Sequence, residues 1–131
     1  MMVIDASAVL NLILAKPPAR AIGSRIFAAA EWIAAPDLLE LEVLQVLRRL
    51  SLADEIPPDR AVAALGYFHD LPIDAIAHRP LSARIWALRH QLSAYDAAYV
   101  SLAEALDAPL LTCDRRLSNA HGHHARIEFA G

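Results

Sequence analysis

The chain has 131 residues, of which 56% are hydrophobic, enough for one domain with a substantial core. Charged residues, asparagine, proline or glycine interrupt every apolar stretch well before the roughly 18 residues of a membrane span, so we expect no membrane partner. No basic region precedes an apolar segment at the N-terminus, so we expect no signal peptide. The formal net charge of -3 gives no overall attraction to nucleic acid, and the single cysteine excludes an intramolecular disulfide and favours a cytoplasmic location.

Strand and helix signals alternate along the chain. Short apolar runs predict strands at residues 2–4, 32–34, 72–76, 108–112 and 126–129. Periodic apolar positions bounded by proline or capping residues predict helices at residues 7–16, 19–30, 36–53, 57–69, 81–92 and 93–106. This alternation indicates an α/β fold, a three-layer sandwich in which helices flank a central, mostly parallel sheet. Since the sequence shows no internal repeat or low-complexity linker, we expect a single domain over residues 1–131.

Several predicted helices begin with residues that suit capping. Ser7 is predicted to cap the first helix. Asp37 and Glu40 have the spacing of a capping box, as do Ser93 and Asp96. A polar residue at such a position has a structural explanation that competes with any functional one.

Two predicted strands are followed by an aspartate. Asp5 follows residues 2–4, and Asp114 follows residues 110–113. Parallel strands end at one edge of their sheet, where open α/β proteins place their chemistry. Each aspartate has a simpler explanation as a turn or loop residue. Because Ser7 is available as the helix cap, we favour a functional role for Asp5, and two acidic strand ends are a more specific signal than one.

Glu42 and Asp96 lie on predicted helices. The helical neighbours of Glu42 include Leu38 and Val46, and an ionised carboxylate on such an apolar face needs a partner or a metal ion. The alternative is an acid at the edge of the core that reaches water. Asp96 is explained locally by its capping box, in which an acid interacts favourably with the helix dipole.

The four carboxylates cannot all stay ionised if they converge in a cleft that contains little water, because like charges raise one another's pKa. A divalent cation removes this conflict. Oxygen ligands favour Mg²⁺, or Mn²⁺, over zinc, for which histidine or cysteine is expected. Such a site suits hydrolysis of a phosphodiester bond, since the metal activates a water molecule and neutralises charge on the phosphate.

Four segments of the chain together resemble the PIN-domain ribonucleases, specifically the VapC-type toxins of bacterial toxin–antitoxin pairs. These segments are Val3-Ile4-Asp5-Ala6-Ser7, Pro36 with Glu42-Val43 and Leu47-Arg48-Arg49, Tyr95-Asp96-Ala97-Ala98-Tyr99, and Thr112-Cys113-Asp114-Arg115-Arg116-Leu117. Each is weak evidence alone, but their order and spacing extend over nearly the whole chain. One departure is Gln45, where relatives often carry asparagine.

This resemblance implies a PIN-like fold and a metal-dependent endoribonuclease with Mg²⁺, or Mn²⁺, as cofactor. It implies that the ligands are Asp5, Glu42, Asp96 and Asp114, supported by the hydroxyl groups of Ser7 and Thr112. It also implies a homodimer, an RNA substrate, and an antitoxin whose C-terminal segment covers the cleft in a toxin–antitoxin hetero-oligomer. The helices at residues 19–30 and 38–53 carry more apolar positions than one face toward the core needs, so we expect them to contact the antitoxin and a second copy of the chain.

Basic residues near the predicted site have two interpretations. Arg115 and Arg116 follow Asp114 directly and are candidates for holding RNA phosphates, with a solvated surface as the alternative. A short histidine cluster can bind transition metals, but a solvated loop is the simpler interpretation here. These histidines are His121, His123 and His124.

Other function classes fit less well. An aspartyl phosphatase of the haloacid-dehalogenase type needs a second aspartate two residues after Asp5, where this chain has Ser7, and a lysine in the later half, where the chain has none. A response-regulator receiver domain fails for the same missing lysine. The alternative function is a PIN-like module that binds RNA or a partner without cutting.

Overall fold

Five short parallel strands form the centre of the computed structural model, which describes residues 1–28 and 31–131. The strands are β1 (Met2–Ile4), β2 (Ile33–Pro36), β3 (Ile73–Ile76), β4 (Leu110–Thr112) and β5 (Ile127–Phe129). Their order across the sheet is β3-β2-β1-β4-β5, and each neighbouring pair is parallel. The predicted α/β fold around a mostly parallel sheet is therefore confirmed, and among the described residues the sheet is parallel throughout.

Helices cover this sheet. They are α1 (Ala6–Ile13), α2 (Ala19–Phe27), α3 (Leu39–Leu52), α4 (Pro58–Asp70), α5 (Ser82–Ala87), α6 (Ala94–Leu106) and α7 (Arg115–Ser118). α1 packs with α2, α3 and α4, whereas α6 packs on β1, β2 and β4 and against α5. Within the two described ranges, each helix is too short or too polar to cross a membrane.

All of β1 belongs to the hydrophobic core. Met2, Val3 and Ile4 are completely buried, as expected for a strand covered on both faces. α6 adds an uninterrupted buried stretch at residues 97–103, in which alanines allow the helix to approach the strands closely. This packing fixes the end of β1, and with it the position of Asp5.

Some helix boundaries differ from the predictions. α1 ends at Ile13 rather than at residue 16, because Ala15 adopts a left-handed conformation with φ 53° and Lys16 precedes a proline. β2 extends to Pro36, so α3 begins only at Leu39. The helix predicted over residues 81–92 is confined to α5, and turns follow it. For the helix predicted over residues 19–30, the last two positions lie outside the described residues.

One of the predicted single-residue caps is wrong. The N-cap of α1 is Asp5, two residues before the predicted Ser7, and Asp5 Oδ1 accepts a 3.0 Å hydrogen bond from the Ala8 amide. The cap of α6 follows the prediction, since Ser93 Oγ accepts a 3.1 Å hydrogen bond from the Asp96 amide. The argument that Ser7 leaves Asp5 free of a structural role therefore fails.

The capping box predicted from Asp37 and Glu40 is also wrong. The N-cap residue of α3 is Leu38, whose apolar side chain cannot accept a hydrogen bond. Asp37 Oδ1 instead lies 2.7 Å from His78 Nδ1, and Glu40 Oε2 lies 3.3 Å from His69 Nε2. The extension of β2 shifts the start of α3 past Asp37, which leaves that side chain free to pair with the segment after β3.

Candidate metal centre

Asp5 and Asp114 lie at the same edge of the sheet. They follow β1 and β4, which are neighbouring parallel strands. The Asp5 amide still donates to the carbonyl oxygen of Leu111 in β4, at 3.2 Å. The structure therefore brings together the two strand-end aspartates that the sequence singles out.

Two hydroxyl groups connect the ends of these strands through Asp5. Ser7 Oγ donates to Asp5 Oδ1 at 2.7 Å and accepts from the Cys113 amide at 2.9 Å. Thr112 Oγ1 donates to Asp5 Oδ2 and accepts from the Asp114 amide at 2.9 Å. Both residues that were expected to support the acidic ligands thus contact Asp5, and together they fix the orientation of its carboxylate.

The charge of Asp5 is poorly compensated. Its side chain is buried, and this burial raises its pKa in spite of the hydrogen bonds from Thr112, Ser7 and the Ala8 amide. The negative charge of Asp114 raises the pKa further. Since hydroxyl and amide donors carry no net charge, a nearby cation would favour the ionised form of Asp5.

Glu42 reaches the same edge from α3. Its Oε1 accepts a 2.5 Å hydrogen bond from the hydroxyl of Tyr99, a buried residue of α6. Burial raises the pKa of Glu42, the hydrogen bond from Tyr99 lowers it, and the charges of Asp96 and Asp5 raise it again, so that the net shift is upward. Burial and the contact with Glu42 also raise the pKa of Tyr99 well above its usual range, so its hydroxyl remains a donor.

The side chain of Glu42 also reaches a groove at the protein surface. Together with Gln45 and Tyr95 it lines a shallow groove of about 370 Å³. Gln45, the position at which the chain departs from the family pattern, thus shares this groove with Glu42. The groove gives solvent and ligands access to Glu42 from the side of α3.

Arg116 connects the remaining two acids. Its Nη2 atom lies 2.9 Å from Asp96 Oδ2 and 3.2 Å from Asp114 Oδ2. Asp114 also caps α7, since its Oδ1 accepts hydrogen bonds from the amides of Arg116 and Leu117. Asp96 and Asp114 come from different elements, and they are held around a single positively charged nitrogen.

The donor chemistry of this edge fits a hard divalent cation. All candidate ligands are carboxylates, with hydroxyl groups behind them, and Mg²⁺ and Mn²⁺ prefer oxygen ligands. In residues 1–28 and 31–131, however, no group of three His, Cys, Asp or Glu side chains is arranged to hold a metal ion. The acids therefore need to draw closer together before they can surround one.

Two features of the edge were missed from the sequence, namely the contact of Tyr99 with Glu42 and the ion pairs of Arg116. Tyr99 follows Asp96 by three residues on α6, and this spacing places both on one helix face, which is a usable signal. The contact of Arg116 with Asp96 spans 20 positions of the chain. Local sequence patterns carry no signal for it.

Arg115 and His124 contact residues other than the four acids. The guanidinium of Arg115 stacks on the ring of Phe129, 4.5 Å from its centre. The three histidines lie in the irregular segment before β5, where His121 and His124 are exposed, as expected for a solvated loop, and His123 is half-buried. His124 Nδ1 lies 2.9 Å from Glu104 Oε2.

Sequence comparison identifies close relatives over almost the entire chain. Residues 2–122, which include all four acids, match the family model of the PIN domain. Ribonuclease VapC1 of Mycobacterium tuberculosis is 45% identical over 128 residues, which are 97% of this chain and 96% of the relative. Ribonuclease VapC12 of the same organism is 36% identical over 129 residues, 98% of each chain. Ribonuclease VapC9, also from M. tuberculosis, is 40% identical over 119 residues, 91% of this chain and 90% of the relative.

Proposed function

The chain belongs to the PIN-domain family, as a member of its VapC type, and from that premise we propose that it is an endoribonuclease that acts as the toxin of a toxin–antitoxin pair. The observation that carries the proposal is the set of acids at one edge of a parallel sheet: Asp5, Glu42, Asp96 and Asp114. Relatives named as ribonucleases, which match this chain over nearly its full length, support the same assignment.

We assign these four acids as the ligands of Mg²⁺, or of Mn²⁺. When bound, the metal would supply an activated water molecule and neutralise charge on the scissile phosphate. The raised pKa values of Asp5 and Glu42 support this assignment, because a buried carboxylate with neutral donors gains most from a positive partner. Ser7 and Thr112 hold the Asp5 carboxylate in place, and Tyr99 does the same for Glu42.

RNA binding would depend on local positive charge, since the chain as a whole carries -3. Arg115 and Arg116 are exposed on α7, next to Asp114. The guanidinium of Arg115 lies over the ring of Phe129, and arginine is well suited both to stacking on aromatic rings and to binding phosphate. We assign both arginines to contacts with RNA phosphates beside the acids.

Exposed apolar side chains support the expected protein partners. On α3, Leu41 is 71% exposed and Leu52 is 68% exposed, and Phe27 at the end of α2 is 57% exposed. α2 and α3 are the helices expected to contact the antitoxin and a second copy of the chain. We assign the protein to the cytoplasm, as a homodimer that also forms a complex with the antitoxin. Covering such side chains is favourable in water. Light scattering that finds only monomers at high concentration would contradict the homodimer.

The central test is cleavage of a structured RNA with Mg²⁺, with and without EDTA. We expect cleavage to stop on chelation and to fall at least about 100-fold in Asp5→Asn and Asp96→Asn, because each loses a metal ligand. Asn at position 5 can still cap α1, so this variant should fold. The matched control is Asp70→Asn, which removes an exposed acid at the end of α4 and should cleave like the parent.

The outcomes of this test are distinct. Cleavage that persists in EDTA, or in both ligand variants, would refute the metal site. If calorimetry detects neither Mg²⁺ nor Mn²⁺ binding and RNA stays intact, the non-catalytic PIN-like module is the better description. That alternative is favoured by one observation, the lack of a preformed three-ligand group among the described residues.

A further inference from the structure

Arg116 lies between two of the proposed metal ligands. One of its nitrogen atoms contacts Asp96 at 2.9 Å and Asp114 at 3.2 Å, and both acids are proposed metal ligands. Without a positive charge between them, the two carboxylates would repel each other. Arg116 therefore balances their charges where the start of α6 lies near the end of β4.

The contacts of Arg116 with the two acids are longer than the contacts of a metal ion with its ligands. Oxygen ligands lie about 2.0–2.1 Å from Mg²⁺. The contacts to the arginine nitrogen are 2.9 and 3.2 Å, so a Mg²⁺ ion in the place of this nitrogen would draw both carboxylates closer to it. A guanidinium and a divalent cation cannot share this position, because they occupy the same space and repel each other.

Arg116 can leave this position easily. Its side chain is 72% exposed, so its charge can return to water, where exposed ion pairs contribute little stability. It belongs to α7, a helix of only four residues. Its neighbour Arg115 makes a different contact, on the ring of Phe129, and is independent of the acids.

On the basis of the proposed metal-dependent function, we propose that Arg116 is an internal competitor of the metal ion. In the metal-free protein it holds Asp96 and Asp114 together, and it withdraws when a divalent cation binds between them. Because binding free energies are reciprocal, the metal weakens the ion pairs of Arg116 by the same factor as these ion pairs weaken metal binding. Removal of the guanidinium should therefore strengthen the binding of metal.

The test is a titration of Mn²⁺ alone into the purified chain, followed by calorimetry or by the electron paramagnetic resonance of free Mn²⁺. We expect Arg116→Gln to bind Mn²⁺ about three- to tenfold more tightly than the parent, the range expected for the loss of exposed ion pairs. Arg116→Lys keeps the charge and should bind close to the parent value. Arg115→Gln removes a neighbouring positive charge that does not contact the acids, and it should leave the affinity unchanged.

The comparison separates this inference from the proposed function. If the parent binds Mn²⁺ and Arg116→Gln binds it equally or more weakly, Arg116 is not a competitor, although the metal centre stands. Equal strengthening in Arg115→Gln would attribute the effect to general charge and would also overturn the inference. If none of the four proteins binds Mn²⁺, the metal centre itself is refuted, and the inference falls with it.

Discussion

Two of the regions in which the protein buries carboxylates compensate the charge differently. In the first, which we call the Glu104 cluster, Glu104 contacts Arg84 and His124. Both oxygens of Glu104 accept hydrogen bonds from Arg84, at 2.8 and 3.0 Å, and Oε2 accepts another from the His124 amide at 2.9 Å. Burial raises the pKa of Glu104, but these hydrogen bonds outweigh burial and lower the pKa overall.

The second region is the acidic edge, formed by Asp5, Glu42, Asp96 and Asp114. Here the donors to Asp5 and Glu42 are hydroxyl groups and an amide, and the pKa of both acids is raised. Satisfied hydrogen bonds are therefore not the same as a neutralised charge. The charge of Glu104 is compensated within the chain, whereas in our proposal a divalent cation compensates the acidic edge.

Replacing one glutamate in each region should give opposite results. Glu104→Gln should lower the free energy of unfolding by about 1–3 kcal/mol, since the side chain is only 5% exposed and Arg84 loses a charged partner, but it should preserve RNA cleavage. Glu42→Gln is the matched variant. In EDTA it should unfold at the same urea concentration as the parent or a higher one, and in Mg²⁺ it should lose RNA cleavage. Equal destabilisation in both variants would remove the distinction between the regions.

The same pair should differ in the pH dependence of stability, measured in EDTA. The lowered pKa of Glu104 stabilises the fold at pH values above the usual pKa of a glutamate. This contribution is lost as the pH falls through the pKa that Glu104 has in the folded state. The loss in free energy of unfolding caused by Glu104→Gln should therefore become smaller in acid. The raised pKa of Glu42 has the opposite sign, so any advantage of Glu42→Gln should appear as the pH rises and vanish in acid. A deficit of Glu104→Gln that grows in acid would contradict this assignment.

The smallest effect is expected from Tyr99→Phe. This change removes the hydrogen bond that lowers the pKa of Glu42, so the acid limb of the pH–rate profile should move to higher pH. Cleavage at neutral pH should fall by about tenfold, as for other residues that orient a ligand. Tyr67→Phe changes an exposed tyrosine of α4 and serves as the control. A shift to lower pH would show that Tyr99 does not act through Glu42.

Parts of the acidic edge were predictable because they depend on local patterns. The apolar run before Asp5 predicts a buried strand, and the run before Asp114 predicts a second one, so two acids at one edge follow from a parallel sheet. The apolar neighbours of Glu42 predict a carboxylate that needs a partner. The prediction that Ser7 caps α1 was wrong, because the cap lies two residues earlier, and such a shift in the helix start changes which side chain reaches the first free amides.

The sequence alone determined the alternation of strands and helices, the acidic ends of β1 and β4, and the family to which the chain belongs. These features depend on short apolar runs and on motifs within a few residues of each other. Only the tertiary structure decided that Tyr99 donates to Glu42, that Asp5 is both helix cap and edge acid, and that Arg116 lies between Asp96 and Asp114. The contacts of Tyr99 with Glu42 and of Arg116 with Asp96 join residues distant in the chain, and their geometry depends on how α3, α6 and α7 pack around the sheet.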